Sequence, residues 1–305
     1  MRAHILFGLA MFPIAALADA PRIVTDIPIT ASLVQQVAGD LAEVESLLQT
    51  DSDPHDFQLR PSQSRALQTA DLLIWMGPEL TLWLDRAATA LDESSQMQLL
   101  HQPGTRLRDY SHATAHEHED EHDHDHDHDH GSIDPHAWLD PDNGKLWMGL
   151  IADRLAGLDP DNASTYHENA MTASARLSEL DAQLSAELQP AQAAPFVAFH
   201  DAYGYFTDHF GLPPAVTVTI GDASAPSAAR LTEVQSEIAE SGARCAFTET
   251  GHAPRMIETA VEGMGLTIGG EISPTGSTLE AGSMLYGEVL SQISTRISAC
   301  ATSTE

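Results

Sequence analysis

The stretch Arg22-Ile23-Val24-Thr25-Asp26-Ile27-Pro28-Ile29-Thr30-Ala31-Ser32-Leu33-Val34-Gln35-Gln36-Val37-Ala38-Gly39 changes its period half-way along. Arg22 to Ile27 is a short β-branched run. From Thr30 the apolar residues Leu33, Val34 and Val37 recur at helical spacing, up to Gly39. The alternation continues outward. Glu43 to Leu48 reads as the next strand, Pro61 opens a helix with Leu67 on its apolar face, Asp71 to Met76 is a strand and Pro78 to Ala90 a helix. Strands alternating with helices imply a parallel sheet covered on both faces, so residues 22 to about 105 form one α/β lobe.

A second lobe repeats the pattern. Its expected strands are Phe196 to Phe199, Ala215 to Ile220, Cys245 to Thr248 and Leu266 to Gly269. Its expected helices are Ala202 to Phe210, Ser227 to Ser241, Pro254 to Met264 and Gly282 to Ile297. Between the lobes, Asn143 to Leu158 and Asp161 to Leu188 are strongly helical. At 1.5 Å per residue the second would be about 40 Å long, more than one lobe needs, and it reads as a rigid strut. The expected class is α/β, with two lobes, each a parallel sheet flanked by helices and each with its own core. The expected division is 1–18 as a leader, 19–158 as the first lobe with a histidine-rich loop at 112–131, 159–189 as the linking helix and 190–305 as the second lobe.

The 45 acidic residues outnumber the 14 basic ones, for a formal charge of -31. That balance argues against nucleic acid and anionic membrane surfaces as partners and favours a cationic ligand. Residues 1 to 18 read as a cleavable export signal, with Arg2 as the positive start, Ile5 to Leu17 as the apolar core and Ala16-Leu17-Ala18 as the cleavage site. In an oxidising compartment the lone pair Cys245 and Cys300 is most simply a disulfide, with a zinc-ligand or nucleophile role as the alternative.

Three histidines sit in similar surroundings: His55 in Asp53-Pro54-His55-Asp56-Phe57, His136 in Asp134-Pro135-His136-Ala137-Trp138-Leu139-Asp140-Pro141, and His200 in Phe199-His200-Asp201-Ala202-Tyr203. Each falls where a strand hands over to a loop or a helix is about to begin, the edge at which parallel sheets bind ligands. Three neutral imidazoles suit zinc and leave one coordination position open. Nearby carboxylates such as Asp56, Asp140 or Asp201 could accept a hydrogen bond from the ring nitrogen not used for metal and fix its tautomer, and the sequence leaves open which serves which histidine. His101, His167, His209 and His252 read as ordinary surface or core residues.

From His112 to His130 eight histidines and eight acids share nineteen positions. No core forms from such a segment. His112, His116, His118, His122, His124, His126, His128 and His130 are expected to take zinc weakly and pass it on to the tighter position. His167-Glu168-Asn169-Ala170-Met171 begins like HExxH but has methionine where the second histidine must stand, and no GxSxG or Walker A segment is present.

As a set these residues resemble the zinc-binding proteins of bacterial ABC transporters, the ZnuA type within the zinc and manganese solute-binding family. The likeness extends over nearly all of residues 22 to 300. It includes His55-Asp56-Phe57 with Leu59-Arg60-Pro61-Ser62, Ala70-Asp71-Leu72 through Gly77-Pro78-Glu79, the Asp134 to Pro141 segment and Phe199 to Tyr203. The resemblance implies two lobes joined by a long helix, zinc on His55, His136 and His200 in the cleft, a Cys245–Cys300 disulfide, and delivery to a membrane permease from the periplasm. The expected partners are Zn2+, that permease and a periplasmic zinc chaperone, with the chain itself a monomer and not an enzyme. Manganese-type relatives place a carboxylate where His200 stands, which favours zinc here. Many relatives carry an aspartate in the segment that here reads Gly270-Glu271-Ile272-Ser273-Pro274, and the matching residue is Ser273. Water, a tract histidine or Glu271 is then left for the fourth position, with water favoured. A zinc buffer or chaperone uncoupled from transport, and a zinc hydrolase, are the alternative readings.

Overall fold

The strands β1 (Arg22–Thr25), β2 (Glu43–Ser46), β3 (Leu72–Trp75) and β4 (Gln96–Gln98) form a parallel sheet in the order β2-β1-β3-β4. The structure is a computed structural model, and it describes residues 20–50, 52–110, 133–219 and 226–302. Helices α1 (Pro28–Ala38), α2 (Pro61–Thr69) and α3 (Leu82–Ala88) complete this lobe. Pro28 and Pro61 each start a helix, where a missing N–H costs no intrahelical bond.

The second sheet has the same plan. Strands β5 (Phe196–Ala198), β6 (Val216–Thr217), β7 (Cys245–Glu249) and β8 (Thr267–Ile272) are parallel in the order β6-β5-β7-β8. Helices α6 (Gly204–Phe210), α7 (Ala228–Ser241) and α8 (Arg255–Ala260) belong with it. In each sheet the first strand of the lobe sits second in the order, so the chain winds away from it in both directions. The crevice at such a reversal, outside the carboxyl ends of the strands, is where open α/β sheets hold ligands.

Helices α4 (Pro141–Leu158) and α5 (Ala163–Leu188) follow the first lobe, and α9 (Leu285–Thr302) closes the chain. At 26 residues α5 is about 39 Å long, and it packs along α4, α1 and α9. Cys300 of α9 is bonded to Cys245 at the start of β7, which fastens that helix to the second sheet.

The expectation of two separate cores is corrected. One continuous apolar cluster runs from Ile23, Leu73 and Trp75 through Trp138, Trp147 and Leu177 to Phe196, Phe206, Tyr286 and Ile297. Among the described residues a small group around Val197, Val218, Val234, Ala246 and Ile257 stands apart, within the second lobe. The cause is the helical layer: α1, α4, α5 and α9 pack on one another, so the apolar faces of both lobes meet there.

Strand β4 is absent from the sequence reading because Gln96 and Gln98 flank its single buried residue, Met97, at the sheet edge. The expected leader at 1–18 and the histidine-rich loop at 112–131 lie outside the described residues. Among the described residues no helix is long and apolar enough to cross a membrane.

Candidate metal site

The two Asp-Pro-His segments fold alike. The backbone N–H of His55 donates to Asp53 Oδ1 at 2.9 Å, and that of His136 donates to Asp134 Oδ1 at 3.0 Å. In both, an aspartate accepts from the backbone two residues on, the local turn that short acidic side chains favour. Trp83 Nε1–H on α3 donates to the Pro54 carbonyl at 2.8 Å and pins the first turn to its lobe. The second is fixed across the lobes. Trp138 Nε1–H donates to the Pro274 carbonyl at 2.8 Å, and the Tyr286 hydroxyl of α9 donates to the Trp138 carbonyl at 2.8 Å.

His200 comes two residues after β5 ends, and Glu249 is the last residue of β7, so they sit at the sheet reversal. His200 Nδ1–H donates to Glu249 Oε2 at 2.7 Å. His136 Nδ1–H donates to Asp134 Oδ1 at 2.8 Å. Asp134 is wholly buried, and burial holds its carboxyl well above the ordinary carboxylate range, although the His136 backbone N–H and the Arg108 guanidinium pull the other way. A cation on the far side of the His136 ring therefore favours its ionised form.

In the tautomer in which each carboxylate takes the Nδ1–H of its ring, each ring turns an Nε2 lone pair inward. The Nε2 atoms of His136 and His200 face each other at 3.3 Å. Two zinc–nitrogen bonds of about 2.0–2.1 Å at a tetrahedral angle hold their nitrogens about 3.3 Å apart. His55 completes the group, its ring centroid 5.4 Å from that of His136 and 6.1 Å from that of His200. Ligating atoms of all three lie within 4.8 Å of one another.

These rings line a cavity of about 50 Å³ together with Asp53, Glu249, Ser273 and Thr275. That volume holds an ion and a few waters. It falls far below the roughly 300–1,000 Å³ that organic ligands occupy.

The carboxylates differ from those expected. Asp56 is exposed. Asp140 accepts the Asp142 backbone N–H at 2.9 Å to cap α4, and it pairs with Arg106 and His209, each at 3.0 Å. Asp201 is buried, and the Nδ1 atoms of His136 and His200 contact Asp134 and Glu249. Glu249 could have been noticed as an acid closing the apolar run Cys245-Ala246-Phe247-Thr248-Glu249, at the strand edge where His200 was already placed.

Of the fourth-position candidates, Glu271 Oε1 accepts from the Thr250 hydroxyl at 2.5 Å, and the residue is not part of the cavity wall. Ser273 is buried in that wall, and its hydroxyl lies 3.3 Å from Thr275 Oγ1 and 3.2 Å from Ser277 Oγ. His101 bonds Glu79 at 2.8 Å, exposed His167 lies 3.8 Å from Asp153, and His209 bonds Asp140 and Asp181, all as structural or surface residues. His252 departs from that reading, because its ring lies in the cavity wall and is stacked on Phe199 with centroids 4.1 Å apart. The tract histidines lie outside the described residues.

Two winding parallel sheets joined by a long helix, with three imidazoles converging between them, define a two-lobed α/β solute-binding protein. The chain matches the family described as zinc-uptake complex component A, periplasmic, over residues 23–300, and it belongs to that family. It is 50% identical over 311 residues to the high-affinity zinc uptake system protein ZnuA of Paracoccus denitrificans (strain Pd 1222), covering 96% of this chain and 95% of that one. The protein of the same description from Brucella abortus (strain 2308) is 32% identical, with 88% of each chain covered. The fold is also that of the periplasmic zinc binding protein TroA from Treponema pallidum, at a TM-score of 0.78 and 22% identity over 93% of this chain and 99% of that one.

Proposed function

We propose that the chain captures Zn2+ on His55, His136 and His200 and delivers it to the membrane permease of an ABC zinc importer. The observation that carries this reading is the pair of Nε2 atoms facing each other at 3.3 Å while both Nδ1–H groups donate to buried carboxylates. With each Nδ1–H on a carboxylate, a cation is the occupant that both inward Nε2 lone pairs can bind at once. Zinc is favoured over harder ions because all three side-chain donors are nitrogen. The fourth position is assigned to water, next to the Ser273 and Thr275 hydroxyls.

Family membership supports a periplasmic component of an uptake system, and the small cavity favours transport over chemistry on an organic substrate. The leader at 1–18 is read as the export signal, and the eight tract histidines as an auxiliary, weaker zinc-collecting segment.

Metal analysis with competition titration tests the assignment on the wild type and on His55→Ala, His136→Ala and His200→Ala. One tight zinc in the wild type and at least a hundredfold loss of affinity in the His136 and His200 variants is expected. Wild-type affinity in all three variants would refute it. Deleting the gene and growing cells on chelator-treated medium separates an importer component, which is then required, from a dispensable buffer.

A further inference from the structure

The two oxygens of the Asp134 carboxylate have different partners. Oδ1 accepts the His136 backbone N–H at 3.0 Å and meets His136 Nδ1 at 2.8 Å, whereas Oδ2 accepts from Arg108 Nη1 at 3.3 Å. Arg108 stands beside Asp134 because the chain pairs there. Asp109 and Ile133 form an antiparallel bridge, and the Asp134 N–H donates to the Arg108 carbonyl at 2.9 Å. From that place Arg108 reaches the second lobe. Its Nε lies 3.3 Å from Asp208 Oδ2 on α6, and its backbone N–H donates to the Tyr205 hydroxyl at 2.9 Å. That hydroxyl donates in turn to the Asp134 carbonyl at 2.9 Å.

Glycine at 204, the first residue of α6, makes room for this reach, because a Cβ there would fall on the Arg108 guanidinium. The Arg108 side chain is 21% exposed and Asp134 is wholly buried, so their contact is made largely out of water, where it holds more firmly than a surface ion pair. A carboxylate gripped at one oxygen can still turn about its Cβ–Cγ bond. Gripped at both, it keeps one plane, and the ring that rests on it keeps one direction. A guanidinium suits the task because its planar fork presents Nη1 to one acid and Nε to another.

We propose that Arg108 is a positioning residue for zinc binding: anchored on α6 of the second lobe, it fixes the rotation of Asp134 and through it the direction in which His136 Nε2 points. This rests on the reading of His55, His136 and His200 as the zinc position. Arg108 itself touches no ion. It makes the aim of a first-lobe ligand depend on where α6 stands, and α6 directly follows the segment that carries His200. The two rings whose Nε2 atoms face each other at 3.3 Å are thereby registered across the lobes.

The test is competition titration with Zn2+ and visible spectroscopy with Co2+ on the full chain, with the melting of the metal-free protein followed in parallel. Wild type is compared with Arg108→Met, Arg108→Lys, Gly204→Ala, the Arg108→Met/Gly204→Ala double variant and His136→Ala. Gly204→Ala expels the guanidinium without changing any charge, at a helix position where alanine is the better helix former. Arg108→Met and Gly204→Ala are each expected to weaken zinc binding by about tenfold, the low end for a partner that orients a ligand, and to alter the Co2+ bands. The double variant is expected to stay near tenfold, whereas independent effects would multiply to about a hundredfold and overturn the proposal. Arg108→Lys keeps the charge but not the fork: a loss like that of Arg108→Met supports orientation, and wild-type affinity shows that charge alone suffices and refutes it. Lowered melting with wild-type affinity and unaltered Co2+ bands would leave Arg108 a purely structural residue and also refute it. Wild-type affinity in His136→Ala would sink the three-histidine reading and the role of Arg108 with it, whereas lost affinity there beside wild-type affinity in the Arg108 and Gly204 variants removes the role of Arg108 alone.

Discussion

A single carboxylate, Glu249, decides which nitrogen of His200 faces the cavity. Removing it frees the ring to change tautomer and to rotate, and partners of this kind are worth about 10–100-fold in metal affinity. Glu249→Ala is therefore expected to weaken zinc binding by about that factor in a competition titration, and Glu249→Gln, which keeps an acceptor, by less. Equal affinity in the alanine variant would mean that something else orients His200. Asp26, at the end of β1, shows buried carboxylate chemistry away from the metal. Burial pushes its pKa up to about 6, against hydrogen bonds from the Met76 and Ile27 backbone and the Thr30 hydroxyl. A folded-state value above the unfolded value of about 3.9 means that the native chain holds the extra proton between those limits. Its contribution to stability is thus complete below pH 4 and is lost as pH rises through 6, about 3 kcal/mol at most for a two-unit shift. Carboxyl-carbon NMR is expected to place the Asp26 midpoint near 6, and Asp26→Asn to flatten the stability slope from pH 4 to 6. A midpoint near 4 would contradict this. Acid acts oppositely on zinc, because protons compete for imidazole nitrogen near its ordinary pKa of about 6.5. Affinity is expected to fall at least tenfold from pH 7.5 to 5.5, and a flat profile would argue against imidazole ligands.

At the scale of elements, what the sequence announced was whatever depends on local period. The runs Asn143 to Leu158 and Asp161 to Leu188 became α4 and α5 almost residue for residue, because many apolar positions in each vote for one helical face. Strand β4 has one buried residue to vote with, and helix α8 stops at Ala260, short of the expected Met264. The three histidines were legible from the strand and helix ends that carry them. Their carboxylates were only half so. Asp134 is two residues from His136, whereas Glu249 is separated from His200 by 49 residues and meets it only because β5 and β7 are neighbours in the sheet. The Cys245–Cys300 bond acts on the same strand, closing a loop of 55 residues between β7 and α9. Loop-closure entropy gives such a link up to about 4 kcal/mol. Replacing both cysteines by serine is expected to lower stability in denaturant melts by about 2–4 kcal/mol, with zinc affinity reduced little because the ligands lie at the other end of β7. An unchanged midpoint would show that α9 is held by its apolar face alone.

Across the whole molecule, what limits motion is the shared core. A hinged binding protein closes on its ligand because its lobes have few contacts beyond the hinge. Here one apolar cluster crosses the junction, α9 packs on α1 and α5, and Trp138 is hydrogen-bonded both to Pro274 and to Tyr286. Opening the lobes widely would expose buried aromatic surface at about 25 cal/mol per Å², so even a few hundred Å² would cost several kcal/mol. The His136 and His200 nitrogens already stand at the separation zinc requires. On the proposed reading, binding needs local settling of the half-buried His55 turn, which Trp83 holds through a hydrogen bond to Pro54 and a ring contact with Phe57. Small-angle scattering of the full chain with and without one equivalent of zinc is expected to show a change below about 1 Å in a radius of gyration of about 19 Å. Trp138→Phe removes the bond to Pro274 while keeping an aromatic ring in the core, and it should weaken zinc binding by severalfold without unfolding the protein. If zinc instead contracts the wild type by several ångströms, the continuous core does not lock the lobes, and the permease would be reading a closure of the whole molecule.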